Sequence, residues 1–145
     1  MKNQIPEIQL KYTPAFAKNE RLKISNSQGA YDSFLNTWDM DTIELCEEFK
    51  MILLNTSNEV LGIHTISKGG LSATVVDLKL LFAVVLKTAA SSIILAHNHP
   101  SGKLKPSSND LRMQVRIKMV ARHLDVALFD NIIITKYGFY SFVND

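Results

Sequence analysis

The sequence predicts an α/β domain with a mixed sheet flanked by helices. Two pairs of short apolar runs, one at 49–67 and one closing the chain near 132–143, are each joined by turn residues and read as antiparallel hairpins. Between them, strand-like and helix-like stretches alternate. With hairpins at both ends and helices in between, the sheet is expected to be mixed rather than purely parallel.

The elements follow in order. Residues 1–24 form an N-terminal extension, in which Ile5, Ile8, Leu10 and Tyr12 suggest a short strand interrupted by Pro14. The domain spans 25–145. Ser25-Asn26-Ser27 is a helix-start signal, and Ala30, Phe34 and Trp38 then recur at the helical period. A second helix is expected from Thr42 to Glu47. FKMILLN (49–55) and EVLGIHTIS (59–67) are strands around the turn residues Thr56-Ser57-Asn58, and Gly69-Gly70 breaks the chain. Val76 to Ala90 is too long and too apolar for a strand and predicts a buried helix. SIILAH (92–97) is a short Ile-rich strand running into a polar loop, 98–106, with Pro100, Gly102 and Pro106. A helix starting at Ser107 or Ser108 runs to about His123. Strands at 126–129, 132–135 and 139–143 close the chain around the turn Lys136-Tyr137-Gly138.

Composition excludes several classes. A chain of 145 residues that is 46% hydrophobic and 21% charged has the length and makeup of one globular domain with its own core. Cys46 is the only cysteine, so neither a disulfide framework nor a Cys-rich zinc module can form, and a reducing, cytoplasmic setting is expected. The longest unbroken apolar run, Leu80 to Leu86, is far short of the roughly 20 residues of a membrane span. The start, MKNQIPEIQL, lacks the apolar stretch of a secretory signal. Net charge is only +2, but it is unevenly spread. Six acidic residues lie between Asp32 and Glu48 with no basic one among them, and six basic residues against Asp110 lie between Lys103 and Arg122. Each run is a solvated face in the plainest interpretation. The basic helix face of Arg112, Arg116, Lys118 and Arg122 is also suited to nucleic acid or an acidic chain. Oligomeric state is not encoded in any pattern here.

One stretch carries chemistry: Ala96-His97-Asn98-His99-Pro100-Ser101-Gly102, then Ser107-Ser108-Asn109-Asp110. His97 and His99 are two apart at a strand end, so both imidazoles point the same way. Histidine is the commonest metal ligand, and a catalytic zinc takes three protein ligands and leaves a fourth position open. Asp110, eleven residues beyond His99 at the next helix start, is the natural third ligand. Ser107-x-x-Asp110 also matches a capping box, and paired loop histidines are often hydrogen-bonded scaffolding. The serine could both cap the helix and offer its hydroxyl to a substrate. A proton-shuttling carboxylate is also needed, and Glu47 or Glu48, just before the first core strand, could supply it; adjacent strand residues face opposite ways, so only one can. His64 is expected at the core edge, His123 as a helix C-cap, and Cys46 as a small buried residue.

LAHNHPSG (95–102) followed by Pro106-Ser107-x-x-Asp110 resembles the signature of the RadC family, bacterial members of the JAB/MPN superfamily with its JAMM metal motif. Glu47-x-Phe49, Leu54-Asn55, the Gly70 region, Lys87-x-Ala89-Ala90 and Asp130 to Ile134 also fall where similar residues lie in that family, so the likeness covers roughly Ser25 to Val143. It implies a cytidine-deaminase-like fold binding one zinc through His97, His99 and Asp110. It also implies Glu47 as general acid/base and Ser107 as a partner of the tetrahedral oxyanion, with Glu48 as the alternative one residue along. It implies a zinc metallopeptidase or isopeptidase acting on a peptide or protein substrate, and an association with DNA repair. The alternative is a non-catalytic nucleic-acid- or protein-binding module in DNA repair with a structural zinc; a nuclease is a third reading. Two departures stand out. The helix-hairpin-helix module that precedes this region in the family has no counterpart in residues 1–24. The family's His-Pro-Arg/Lys-Glu-like stretch is Thr74-Val75-Val76-Asp77-Leu78-Lys79 here, so substrate choice is expected to differ.

Overall fold

The computed structural model describes residues 5–7, 9, 13, 17, 20–69 and 75–143. The strand expected around Ile8, Leu10 and Tyr12 lies outside the described residues, as do Gly70 and Thr74. In order, the described elements are α1 (Ser27–Leu35), β1 (Glu48–Leu54), β2 (Val60–Lys68), α2 (Leu78–Thr88), β3 (Ser92–Asn98), α3 (Ser108–His123), β4 (Ala127–Thr135) and β5 (Gly138–Ser141). The strands form one sheet in the order β2-β1-β3-β4-β5. Only β3 and β4 are parallel, and the other neighbours run antiparallel. The sheet is therefore mixed, as the hairpins required.

Alternation along each strand divides the core in two. Ile52, Leu54, Ile94, Ala96, Ile132 and Ile134 pack with Ala30, Phe34 and Trp38 on the α1 face. Met51, Leu53, Ile93 and Leu95 pack with Leu81, Val85, Ile117 and Ala121 of α2 and α3 on the other. Both faces of the central strands are covered, which is why β1 and β3 are buried along their whole lengths.

The helices begin where the sequence signals them. Asn26 caps α1 by accepting the Gly29 amide at 2.7 Å, and Asp77 caps α2 by accepting the amides of Lys79 and Leu80. Helix α1 stops at Leu35, so Trp38 lies in the turns beyond it, still buried. Among the described residues no helix is long and apolar enough to cross a membrane.

Three local expectations are corrected. Thr42 to Glu47 is a run of turns, not a helix. Six residues are too few to offset the cost of helix nucleation, and the side chain of Asn98 takes up the backbone groups that a helix would have used. The strands expected at 126–129 and 132–135 are one strand, β4. It absorbs a register shift opposite Ile93 and Ile94, where Phe129 is the extra residue. The polar pair Asp130-Asn131 between those two stretches is inside, 1% and 2% exposed. His64 is exposed on β2 rather than set at the core edge.

Candidate metal centre

Strand β3 ends, and α3 begins, at one corner of the sheet. A parallel β3–α3–β4 unit places that corner at the carboxyl ends of its strands, where open α/β sheets commonly hold ligands. The pattern within β3 decides what faces which way. His97 continues the Ile93–Leu95 row toward α3, and its ring stacks on Phe49 of β1 at 5.7 Å with the planes 2° apart. Asn98 faces the opposite side. His99 leaves the sheet into the loop, where Gly102, at φ +77°, makes the reversal that its lack of a Cβ permits.

The loop folds α3 back over the strand end, and three side chains converge. His97 Nε2 and His99 Nε2 lie 3.1 Å apart. Asp110 sets Oδ1 3.2 Å from His97 Nε2 and Oδ2 3.3 Å from His99 Nε2. Two ligands bonded at 2.0–2.1 Å to a tetrahedral ion are roughly 3.3–3.4 Å apart, and each of the three contacts, made to Asp110 through both of its oxygens, is close to that spacing. The donor set fits a borderline divalent metal of the zinc type.

Protonation sharpens the fit. His99 Nδ1 lies 2.7 Å from the carbonyl oxygen of Lys103, and only an N–H can make that bond. In neutral His99 the bare lone pair of Nε2 therefore faces His97 and Asp110, the orientation that outer hydrogen bonds impose on ligating histidines. Burial alone would raise the pKa of Asp110, but hydrogen bonds from His97, His99 and the Ser107 amide overcome it and hold the carboxyl well below the usual carboxylate range. Burial lowers that of His99, and the Asp110 carboxylate and Lys103 carbonyl outweigh it, so the net direction is up.

The capping box and the convergent triad turn out to be the same structure. Ser107 Oγ accepts the Asp110 amide at 3.1 Å, and Asp110 Oδ2 accepts the Ser107 amide at 2.6 Å. The box locks the χ angles of Asp110 while leaving its oxygens aimed at the histidines. Ser107 itself is exposed and is not among the residues that line the cavity beside the triad.

The adjacent glutamates separate cleanly. Glu48 is buried and ion-paired, 3.2 Å from Lys68 Nζ and 3.6 Å from Lys50 Nζ. Lys50 also lies 4.5 Å over the Trp38 ring, on the α1 face. Glu47 lies on the other face with Phe49, lining a cavity of about 60 Å³ with His97, Asn109, Asp110, Met113 and Asn131. That volume admits one or two waters or one small group. Burial pushes the Glu47 carboxyl up, and Asp110 adds to this against the two imidazoles.

Sequence reasoning missed Asn98. Its amide donates to the Ile43 and Cys46 carbonyls at 2.6 and 2.9 Å, and its Oδ1 accepts the Glu48 amide at 2.7 Å. It clamps the backbone on both sides of Glu47. The available signal was its position between two histidines: a polar residue that must point into the opposite, covered face. Cys46 is half-buried, its thiol 3.9 Å from the Thr42 carbonyl. His123 is the last residue of α3, and the C-cap position falls to Leu124 rather than to the histidine.

A family model described as the RadC-like JAB domain matches residues 24–145. The chain belongs to the RadC-like JAB domain family. Its five-stranded mixed sheet with three helices fits the JAB/MPN fold. It is 44% identical over 99 residues to a UPF0758 protein of Flavobacterium johnsoniae, covering 68% of this chain and 43% of that one. A UPF0758 protein of Alkaliphilus metalliredigens is 42% identical over 95 residues, 66% of this chain and 41% of its own. One from Chlorobaculum parvum is 34% identical over 127 residues, 88% of this chain and 56% of its own. The matches thus span about half the length of these relatives.

Proposed function

We propose that this RadC-like domain is a zinc-dependent hydrolase of peptide or isopeptide bonds. The observation that carries the reading is the convergence of His97, His99 and Asp110 at tetrahedral-edge distances beside the half-buried carboxyl of Glu47. A zinc ion held by those three residues would act as a Lewis acid and lower the pKa of a bound water. Glu47, its pKa raised by burial, is suited to take a proton from an attacking water and return it to the leaving amine. Ser107 Oγ accepts from the Asp110 amide, which leaves its O–H free to donate to a developing oxyanion. His97, stacked on Phe49, and Asp110, locked by the capping box, are held in place without substrate.

Elemental analysis of tag-free protein tests the metal. Near one zinc per chain is expected for wild type, and far less for His99→Ala. No zinc after purification with added metal would overturn the reading. Glu47→Gln should keep the zinc and lower turnover of an amide substrate by about 10²–10⁴-fold; loss of zinc in that variant would remove Glu47 from the role.

A second reading rests on a separate observation. Arg112, Arg116, Lys118 and Arg122 are all exposed on α3, and none is in an ion pair among the described residues. Such a face could serve a nucleic-acid-binding role in DNA repair, with the zinc structural. DNA binding that weakens steeply with salt, and is lost when the four are neutralised, would favour it.

A further inference from the structure

Two residues that line the cavity each hold a buried polar atom with no hydrogen-bond partner among the described residues: His97 at Nδ1 and Asn131 at Oδ1. Asn131 is 2% exposed, on the stretch of β4 beneath α3, beside Leu95 of β3. Its Nδ2 donates to Gln114 Oε1 of α3 at 2.7 Å, which fixes the amide plane and leaves Oδ1 as the free end. That oxygen is buried and has no hydrogen-bond partner among the described residues. A buried carbonyl oxygen without a donor is costly, and such groups are few in folded proteins. The same residue lines the small cavity with Glu47, His97 and Asp110.

These facts have a common solution. Asn131 lines the cavity from the β4 side, and its buried Oδ1 lacks the hydrogen-bond donor that a ligand group beside the triad could supply. An amide presents an N–H there. An ester presents an acceptor oxygen there and a tertiary amide a carbon substituent, and neither satisfies Asn131 Oδ1. We propose that Asn131 is a specificity-determining residue that accepts the N–H of the substrate amide and so selects secondary amides over esters and N,N-disubstituted amides. Glu47 cannot take over this task while it handles protons, whereas Asn131 has no titratable group and stays an acceptor at every pH. The inference rests on the hydrolase reading above, since it assumes that a substrate amide reaches the triad.

A pair of hydroxamates tests it without requiring the natural substrate. Acetohydroxamate and N-methylacetohydroxamate offer a metal the same two oxygens, but only the first carries an N–H. Their affinities for the zinc-loaded full chain are measured by calorimetry, with zinc content determined on the same samples. The wild type is expected to prefer acetohydroxamate by about tenfold. Asn131→Leu, similar in shape but without the acceptor, should bind zinc normally and lose that preference. Asn131→Asp, which keeps an acceptor oxygen, should retain it and guards against a leucine variant that fails to fold. Equal wild-type affinities, or a preference that survives in Asn131→Leu, would overturn the proposal, since the second would reflect size alone. Zinc binding with no hydroxamate binding would overturn it while leaving the metal site standing. Absence of zinc from the wild type would remove the hydrolase reading, and this inference with it.

Discussion

Asp110 and Asp130 are both withdrawn from water, yet their surroundings are opposite in kind. Asp130 is met only by donors: Ser27 Oγ at 2.6 Å, Ser141 Oγ at 2.9 Å and the Asn131 amide at 2.7 Å. It ties α1, β4 and β5 together with no ionisable partner among these contacts. Asp110 receives one backbone amide and otherwise faces two imidazole nitrogens, one of which is left bare by the His99–Lys103 hydrogen bond. A carboxylate that fixes structure has its donors built in. A carboxylate that awaits a cation is aimed at other acceptors, and the fold tolerates this because a proton, or a metal, can supply the missing positive charge.

Substituting each one makes the contrast measurable. Asp130→Ala removes the common acceptor of three donors and should cost about 3 kcal/mol in urea unfolding, while protein that remains folded keeps its zinc. Asp110→Ala should cost only about 1 kcal/mol, the worth of the cap contact, and lower zinc affinity by at least about 100-fold. If Asp130→Ala stripped the metal, or Asp110→Ala unfolded the domain, the division between a structural and a ligand carboxylate would fail.

The ligand end was the more legible of the two because it is nearly local. His97, His99 and Asp110 lie within one strand, one loop and one helix start, so alternation and cap spacing were enough to bring them together. The choice between Glu47 and Glu48 needed the phase of β1. That phase was recoverable: Phe49 shares a face with Glu47, and Phe49 is the apolar residue of that stretch, whereas Glu48 shares its face with Lys50. The Asp130 end was not legible. Its partners Ser27 and Ser141 lie 103 and 11 residues away, and no local pattern ties a polar pair in β4 to a helix N-terminus across the sheet. The same holds for Asn98, whose three hydrogen bonds reach residues 50 or more positions earlier. Long-range polar satisfaction decides these positions, and it overrode the helix expected over 42–47.

The pH dependence of the metal-free protein gives a smaller effect with a definite sign. The pKa of His99 is raised in the folded state, so the stability that it contributes is fully present below about 6.5 and is lost as the pH rises through the raised value. That of Asp110 is depressed, so its contribution is present above the usual carboxylate range and is lost only as the pH falls far below it. Metal-free protein should therefore melt at a lower temperature as the pH climbs from about 6 to the alkaline side. Zinc reverses the trend, because it needs the imidazoles deprotonated, and its stabilising effect should grow over the same interval. Asp110→Asn should flatten the metal-free trend; a slope unchanged in that variant would place its origin elsewhere in the chain.

The smallest effect on stability is expected at Ser107, where it also separates two roles. The serine caps α3 through Oγ, and asparagine caps helices about as well as serine does. Ser107→Asn should therefore change stability by no more than a few tenths of a kcal/mol, whereas Ser107→Ala should cost about 1 kcal/mol. Asparagine cannot reproduce the serine O–H: to keep the cap its Oδ1 must accept the Asp110 amide, and its NH2 then points away from that bond in a fixed plane. If Ser107 only starts a helix, Ser107→Asn turns over amide substrate like the wild type. If its hydroxyl also reaches a developing oxyanion, turnover falls by about 10²–10³-fold while melting temperature and zinc content stay where they were.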